Sequence, residues 1–253
     1  HTGHDLGQYR GTGYGQLCQY RKADGTDQTW AGVDDWRPAG EYRDKAEELE
    51  PRAQASLYFY GVNPKNNTGN SRWDLYQNWQ LEYKWQDGCA KNIKFWYEAG
   101  SREWFEFPIY RMAEFYLNIA EAYNEEGNPT MALRYLNDIR RRGGIPDETQ
   151  TDRVGLRRSI HREWAVEFYV ENQWYPHARH WKQGASMVGG AKYKFEFSQA
   201  AGVSWNPRKP EEFANYTRKP SYVPEYTWHE RMSLSPFTLS EVNKGYLVQN
   251  PGY

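Results

Sequence analysis

The sequence predicts a mainly α-helical fold with long irregular loops and a few short strands. Three segments in the middle of the chain support this, because their apolar residues recur every three or four positions, as on one face of a helix. The sequence on either side is rich in aromatic residues but shows no helical periodicity of comparable strength. We therefore divide the 253 residues into an aromatic-rich loop region at 1–107, a helical core at 108–182 and an irregular C-terminal tail at 183–253 that packs on the core.

The first predicted helix runs from Arg111 to Glu126. Its apolar face is expected to comprise side chains spaced four, three and four residues apart, with smaller residues beside them. These are Met112, Tyr116, Ile119 and Tyr123, flanked by Ala113, Leu117 and Ala120. The helix is expected to end at Gly127–Pro129, since proline cannot donate to the helical hydrogen bonds and glycine tolerates the left-handed conformation.

A second helix is predicted from about Thr130 to Arg142, with Ala132, Leu136 and Ile139 on its buried face and Gly143–Gly144 at its end. The short connection predicts that the two helices are antiparallel neighbours. The pair resembles a single tetratricopeptide repeat, and no second copy is evident in the sequence at the repeat length of about 34 residues.

The third helix is predicted to start near Asp152, a suitable N-cap residue. Its apolar residues and its carboxylates each recur at four-residue intervals: Leu156, Ile160, Trp164 and Phe168; Glu163, Glu167 and Glu171. Like charges at this spacing repel. We therefore expect cations from elsewhere to pair with them, with the following candidates: Arg111, Arg140, Arg142 and Arg179. The alternative is a solvated acidic face.

Several runs resemble motifs of the RagB/SusD family. The first helix matches Arg-x-x-Glu-x-x-Leu-x-x-Ala-Glu-Ala through Arg111, Glu114, Leu117, Ala120, Glu121 and Ala122. The second matches Leu-Asn-x-x-Arg-x-Arg-x-Gly through Leu136, Asn137, Arg140, Arg142 and Gly144. The third and its extension match through Glu163, Glu167, Glu171, Arg179 and Trp181, and Gln249–Tyr253 is similar to the family's C-terminus.

This resemblance implies a SusD-like protein, with tetratricopeptide-like helical pairs, on the surface of a Gram-negative bacterium. Such a protein binds a nutrient, most often an oligosaccharide, without chemistry or cofactor, as the lid of a SusC-like TonB-dependent barrel transporter. It also implies a longer mature protein with an N-terminal lipid in the outer membrane. We therefore expect this sequence to be a fragment that lacks the anchor. A RagB-type lid for peptides and a helical-repeat scaffold that binds only proteins remain the alternatives.

The aromatic-rich region supplies the candidate binding residues. Tryptophan rings stack on the apolar faces of sugars, and neighbouring charged side chains bond to hydroxyls. One short loop combines these features, in Trp30, Asp34, Asp35, Trp36 and Arg37. The alternative is that one or both tryptophans belong to the core. A second aromatic run, from Trp73 to Trp85, has helical spacing and favours a core role, and short strands are predicted at 57–62 and 91–97.

Other activities are disfavoured by the composition. The net charge of −1, with acidic and basic residues interspersed, argues against a nucleic-acid partner. Adjacent Asp34 and Asp35 do not form the opposed carboxylates of a glycosidase. His177 and His180 have no third ligand placed beside them, so a metal site is not expected.

Overall fold

A computed structural model describes residues 12–59, 88–94, 108–203, 213–221 and 227–253. The chain forms two units: His1–Glu167 with Tyr193–Ser221, and Phe168–Lys192 with Tyr222–Tyr253. These units do not coincide with the three predicted regions, whose roles remain predictions. No helix within the described ranges is both long enough and apolar enough to cross a membrane.

The N-terminal part of the first unit consists of short elements. Its helices are α1 (Tyr14–Leu17), α2 (Ala39–Glu47) and α3 (Pro51–Ser56), and its strands are β1 (Arg37–Pro38), β2 (Leu57–Tyr58) and β3 (Lys91–Asn92). Strands β2 and β3 pair antiparallel. They lie within the two predicted strands, whose remaining parts extend into residues 60–62 and 95–97. Those residues, like the aromatic run from Trp73 to Trp85, lie outside the described ranges.

The predicted helical hairpin is confirmed as α4 (Met112–Glu125) and α5 (Pro129–Arg142). Proline occupies the first turn of α5, where its missing N–H is no loss, and the Asn128 side chain accepts from Met131 N at 3.2 Å. At the other end, Gly144 adopts a φ of 73°, which only glycine adopts readily.

The buried face of α4 is shifted by one position along the sequence from the predicted face. Its buried side chains are Ala113, Leu117, Ala120 and Asn124. Met112 is 69% exposed and Ile119 37% exposed, so the prediction that their side chains belong to the buried face was wrong. The small residues face the rest of the unit, which allows the helices to approach closely. The larger residues lie on the outer side, where Tyr116 and Tyr123 contact the Tyr135 ring of α5.

The third predicted helix is α6 (Arg153–Glu167). Asp152 caps it, as predicted, because its carboxylate accepts from Gly155 N at 2.7 Å and Val154 N at 3.3 Å. Leu156, Ile160 and Trp164 are buried. The helix ends earlier than the four-residue pattern suggested, and Val170 and Asn172 beyond it have positive φ angles of 63° and 60°.

The predicted irregular region after residue 183 contains a β-hairpin, which is a correction. Strands β4 (Tyr193–Gln199) and β5 (Phe213–Pro220) pair antiparallel, and β1 adds to the other edge of β5 in the order β1-β5-β4. Phe195, Phe197 and Tyr216 lie at its centre and are buried. The alternation of aromatic and charged residues in Tyr-Lys-Phe-Glu-Phe was a usable strand signal.

The second unit contains short helices and irregular chain. Its helices are α7 (Trp174–His180), α8 (Gly184–Met187) and α9 (Leu239–Val242), and a 3-10 helix at Glu230–Ser233 precedes α9. The Trp228 ring lies directly on Gly184 and meets Tyr175 edge-on at 5.9 Å. Apart from these turns the C-terminal residues are irregular, as predicted for that part of the tail.

Candidate functional site

The predicted binding loop lies against strand β5. Arg218 N donates to Gly32 O at 3.1 Å and Asp34 N donates to Arg218 O at 3.3 Å, which makes a short parallel bridge between Val33 and Arg218. Immediately after it, β1 pairs with β5, with Arg37 opposite Tyr216. The loop is therefore anchored at both ends to a strand that lies far from it in sequence.

Trp30 forms part of the aromatic core beneath the loop. Its ring centroid lies 5.9 Å from that of Tyr42 and 5.6 Å from that of Phe195. The indole is half-buried, and its Nε1 is buried without a hydrogen-bond partner. The position of Trp30 thus agrees with the alternative hypothesis, in which one of the two tryptophans packs in the core.

Trp36 is in a different environment. Its side chain is 44% exposed, and it immediately precedes β1, so its backbone is held close to the β5 pairing. A large ring in this position costs little conformational entropy when a ligand covers it. Of the two predicted tryptophans, Trp36 offers the accessible aromatic surface.

Asp35 and Arg37 pair with each other. Arg37 Nε donates to Asp35 Oδ1 at 3.0 Å and to Oδ2 at 2.9 Å. This hydrogen bonding lowers the pKa of Asp35 and raises the pKa of Arg37. The pair is exposed and so contributes little to stability, but it fixes the direction of both side chains across the loop.

Asp34 adopts a left-handed backbone conformation with φ of 57° and pairs with Lys219 of β5. The hydrogen bond from Lys219 to Asp34 raises the pKa of that ammonium group. An aspartate tolerates this backbone region better than most residues. Asp34 and Asp35, which follow the short bridge to β5, are thus each held by a cation.

An aromatic cluster supports the loop from below. The rings of Tyr42, Phe195 and Tyr216 lie with centroids 5.2–5.8 Å apart. Tyr42 Oη donates to Cys89 O at 2.7 Å. Burial, with a smaller effect of the Glu41 charge, raises the pKa of Tyr216 to about 12. The base of the loop is therefore a packed cluster of aromatic rings.

The predicted arginine–glutamate network is present in the first unit. Glu167 accepts from Arg111 Nη1 at 2.8 Å and pairs with Arg142. Glu163 lies 3.6 Å from Arg140 Nη1. Both carboxylates are buried, so the network joins α6 to both helices of the hairpin.

The central cation of this network is Arg52 of α3, which the sequence analysis did not include among its candidates. Its Nη1 donates to Glu163 Oε1 at 2.5 Å and its Nε to Glu50 Oε2 at 2.8 Å. Arg52 lies over a hundred positions from Glu163, and no local pattern marks it. Arg179, also a candidate, donates in the second unit to Ser233 O and Ser235 Oγ.

The two buried glutamates respond differently to this environment. Burial raises the pKa of Glu163, and the attraction of Arg52 only partly offsets it. Burial also acts to raise the pKa of Glu167, but hydrogen bonds from Arg111 and Arg142 outweigh it, and the net pKa is lowered. The network is a structural clamp on α6, since both carboxylates are shielded from solvent.

Comparison with known proteins identifies the family. A model of the SusD family matches residues 11–253. The chain belongs to the SusD family. A solved structure of a SusD-like protein from Bacteroides fragilis NCTC 9343 matches with a TM-score of 0.70 and 25% sequence identity. The match covers 96% of this chain and 47% of that one, so the chain spans about half the length of this SusD-like relative. No curated protein matches the chain.

These matches confirm the mainly helical, SusD-like fold. They extend well beyond residues 108–181, where the motifs were found, to include the loop and the β4–β5 hairpin. Within this SusD-family chain, the loop's partners Arg218 and Lys219 were missed by sequence reasoning. Their contacts with Asp34 span about 185 positions, so nothing in the local sequence could indicate them. No cluster of metal-ligating side chains occurs within the described ranges.

Proposed function

We propose that the chain is part of a cell-surface protein that binds an oligosaccharide and passes it on unaltered. Membership of the SusD family supports a nutrient-binding role. The observation that carries the proposal is the accessible Trp36 ring on a loop fixed to β5. A flat ring held in place is suited to stack on the C–H face of a sugar.

The other predicted residues support this role in different ways. Trp30 anchors the loop in the aromatic core, and Asp34 and Asp35 hold its shape through their cations. The terminal N–H groups of Arg37 and the exposed oxygens of Asp34 are available to hydroxyls. The proposed ligand contacts are thus Trp36, Arg37 and Asp34, with Trp30 and Asp35 as positioning residues.

The proposed location is the outer membrane, through an N-terminal lipid outside this chain, as the lid of a SusC-like TonB-dependent transporter. Family membership supports this part of the proposal. Co-purification of the complete protein with a barrel transporter from outer membranes tests it. Recovery of the complete protein in the soluble fraction, without a barrel, would contradict it.

We propose that the protein is not an enzyme. A glycosidase needs a carboxylic acid that is protonated near neutral pH and accessible to the sugar. The pKa of Asp35 is lowered by Arg37, which favours the ionised form. The pKa of Glu163 is raised, but its side chain is only 3% exposed and lies inside the arginine network.

Isothermal titration against a panel of neutral glycans and of peptides tests the ligand class. A heat signal with a glycan supports the proposal, and binding of peptides alone would replace it with a RagB-type peptide lid. Chromatography of the bound glycan after prolonged incubation should return it intact. Cleavage products that increase with protein concentration would contradict the non-enzymatic assignment.

A further inference from the structure

The charges around the binding loop are compensated before any ligand arrives. Arg37 is paired with Asp35, and Lys219 with Asp34. On the neighbouring helix α2, Lys45 pairs with Glu41 at 2.6 Å. Each of these cations therefore already has a carboxylate partner, and the loop carries no excess positive charge from them.

Further carboxylates lie within electrostatic range of the same cations. Glu41 as well as Asp35 acts to raise the pKa of Arg37. Glu196 as well as Asp34 acts to raise the pKa of Lys219. Beside the carboxylate that pairs with it, each of Arg37 and Lys219 is therefore influenced by a second one, so neither is an uncompensated charge for an anion to bind.

Another cation beside the loop, Arg218, is held by aromatic rings. Its guanidinium carbon lies 4.5 Å from the centroid of Tyr14 and 5.4 Å from that of Tyr193. A guanidinium between two ring faces is oriented by them and partly withdrawn from solvent. Recruiting it to bind an anionic ligand would require its removal from between the rings.

The polar groups left over suit hydroxyls. Within the described ranges, Arg37 contacts Asp35 through Nε, and its terminal N–H groups are left to donate. The Asp34 side chain is 64% exposed and retains acceptor capacity. A hydroxyl both donates and accepts, so this combination of donors and acceptors can be satisfied without a net charge on the ligand.

From this arrangement we infer that the ligand of the Trp36 loop is an uncharged glycan, and that acidic glycans carrying uronate or sulfate groups bind it more weakly. The inference rests on the proposed function. An acidic ligand would meet the carboxylates of Asp35 and Asp34 beside Arg37 and Lys219, and like charges at an interface weaken binding.

A matched pair of ligands tests it: the best neutral oligosaccharide of the panel, and the same oligosaccharide with its primary hydroxyls oxidised to carboxylates. We expect the oxidised form to bind at least about tenfold more weakly in low salt. We also expect the neutral form to bind equally well from about 0.02 to 0.5 M salt. Equal or tighter binding of the oxidised form would overturn the inference and leave glycan binding in place.

Asp35→Asn is the informative variant, because it leaves Arg37 without its carboxylate. The ratio of affinities should shift towards the oxidised ligand. Asp138→Asn on α5 is the matched control, since it removes the same charge from an exposed pair with Arg141. An unchanged ratio in Asp35→Asn would overturn the inference, and absence of binding to every glycan would overturn the proposed function itself.

Discussion

At the residue scale, glycines mark the places where the chain requires close packing. Gly143 follows α5 with an ordinary helical φ of −71°, so its backbone does not demand glycine. A Cβ at this position would lie 2.7 Å from Arg52 Nε and 2.8 Å from Arg52 Cζ. The absent side chain therefore provides the space in which Arg52 reaches the buried glutamates.

Gly143→Ala is expected to displace Arg52 and lower the free energy of unfolding by about 1–3 kcal/mol, because the carboxylates of Glu50 and Glu163 would lose part of their pairing. Urea denaturation measures this. Gly15→Ala is the control, since a Cβ there meets nothing within 4 Å. An equal effect of the two substitutions would contradict the role given to Gly143.

The ion pairs of Glu125 predict that its contribution to the stability of the fold depends on pH. Hydrogen bonding from Arg157, opposed by burial and supported by Arg153, lowers the pKa of Glu125 to about 2. Since the folded-state pKa lies below the unfolded value of about 4.3, the pair stabilises the fold above pH ~4.3. This stabilisation is lost as the pH falls towards 2.

Glu125→Gln should therefore destabilise the protein at pH 7, by less than about 1 kcal/mol because the carboxylate is partly exposed. The difference from wild type should shrink as the pH approaches 2. Glu126→Gln serves as the control, because Glu126 is exposed and forms no ion pair within the described ranges. A difference that is independent of pH would show that Arg157 and Arg153 do not act on the Glu125 charge.

At the element scale, the arginine–glutamate network determines how α6 lies on the hairpin. Glu167 receives contacts from α3, from the start of α4 and from the end of α5 through Arg52, Arg111 and Arg142. Glu167→Gln is expected to cost about 3 kcal/mol of unfolding free energy, since it removes a buried carboxylate from the largely buried Arg52 and Arg111. Chemical denaturation at pH 7 measures this, with Asp138→Asn as an exposed control. If Glu167→Gln is as stable as the wild type, the network does not contribute to holding α6 on the hairpin.

The second unit offers an independent prediction. A Cβ at Gly184 would lie 1.9 Å from the Trp228 ring, so Gly184→Ala must push the indole away from α8. We expect this overpacking to destabilise the second unit by about 1–3 kcal/mol, which should be measurable as faster amide hydrogen exchange in residues 174–187. Ser186→Ala, at an exposed position of the same helix, is the control. Unchanged exchange in Gly184→Ala would contradict this packing.

The sequence was most informative where structure is local. Caps and periodicity predicted α4, α5 and α6, because a helix is specified by residues close in sequence. The face of α4 was one residue off, since the large apolar residues lie outside and alanines pack inside. Arg52, Lys219 and the pairing of β1 with β5 could not be predicted, because long-range contacts leave no local pattern.

At the scale of the whole molecule, the chain combines a helical core with a loop carried by a distant hairpin. Most of the family-motif residues lie in the helices, whereas the proposed ligand contacts lie on the loop beside β5. Because the chain spans about half of its SusD-like relative, we assign the ligand and the barrel partner as proposals.

The most direct test of the account is a titration of the best glycan into Trp36→Ala, with wild type and Phe115→Ala alongside. Phe115 is an exposed ring on α4, 57% accessible, and serves as the matched control. Trp36→Ala should lose at least about tenfold in affinity with an unchanged melting temperature, and Phe115→Ala should bind as wild type does. Wild-type affinity in Trp36→Ala would contradict the assignment of the binding site to this loop.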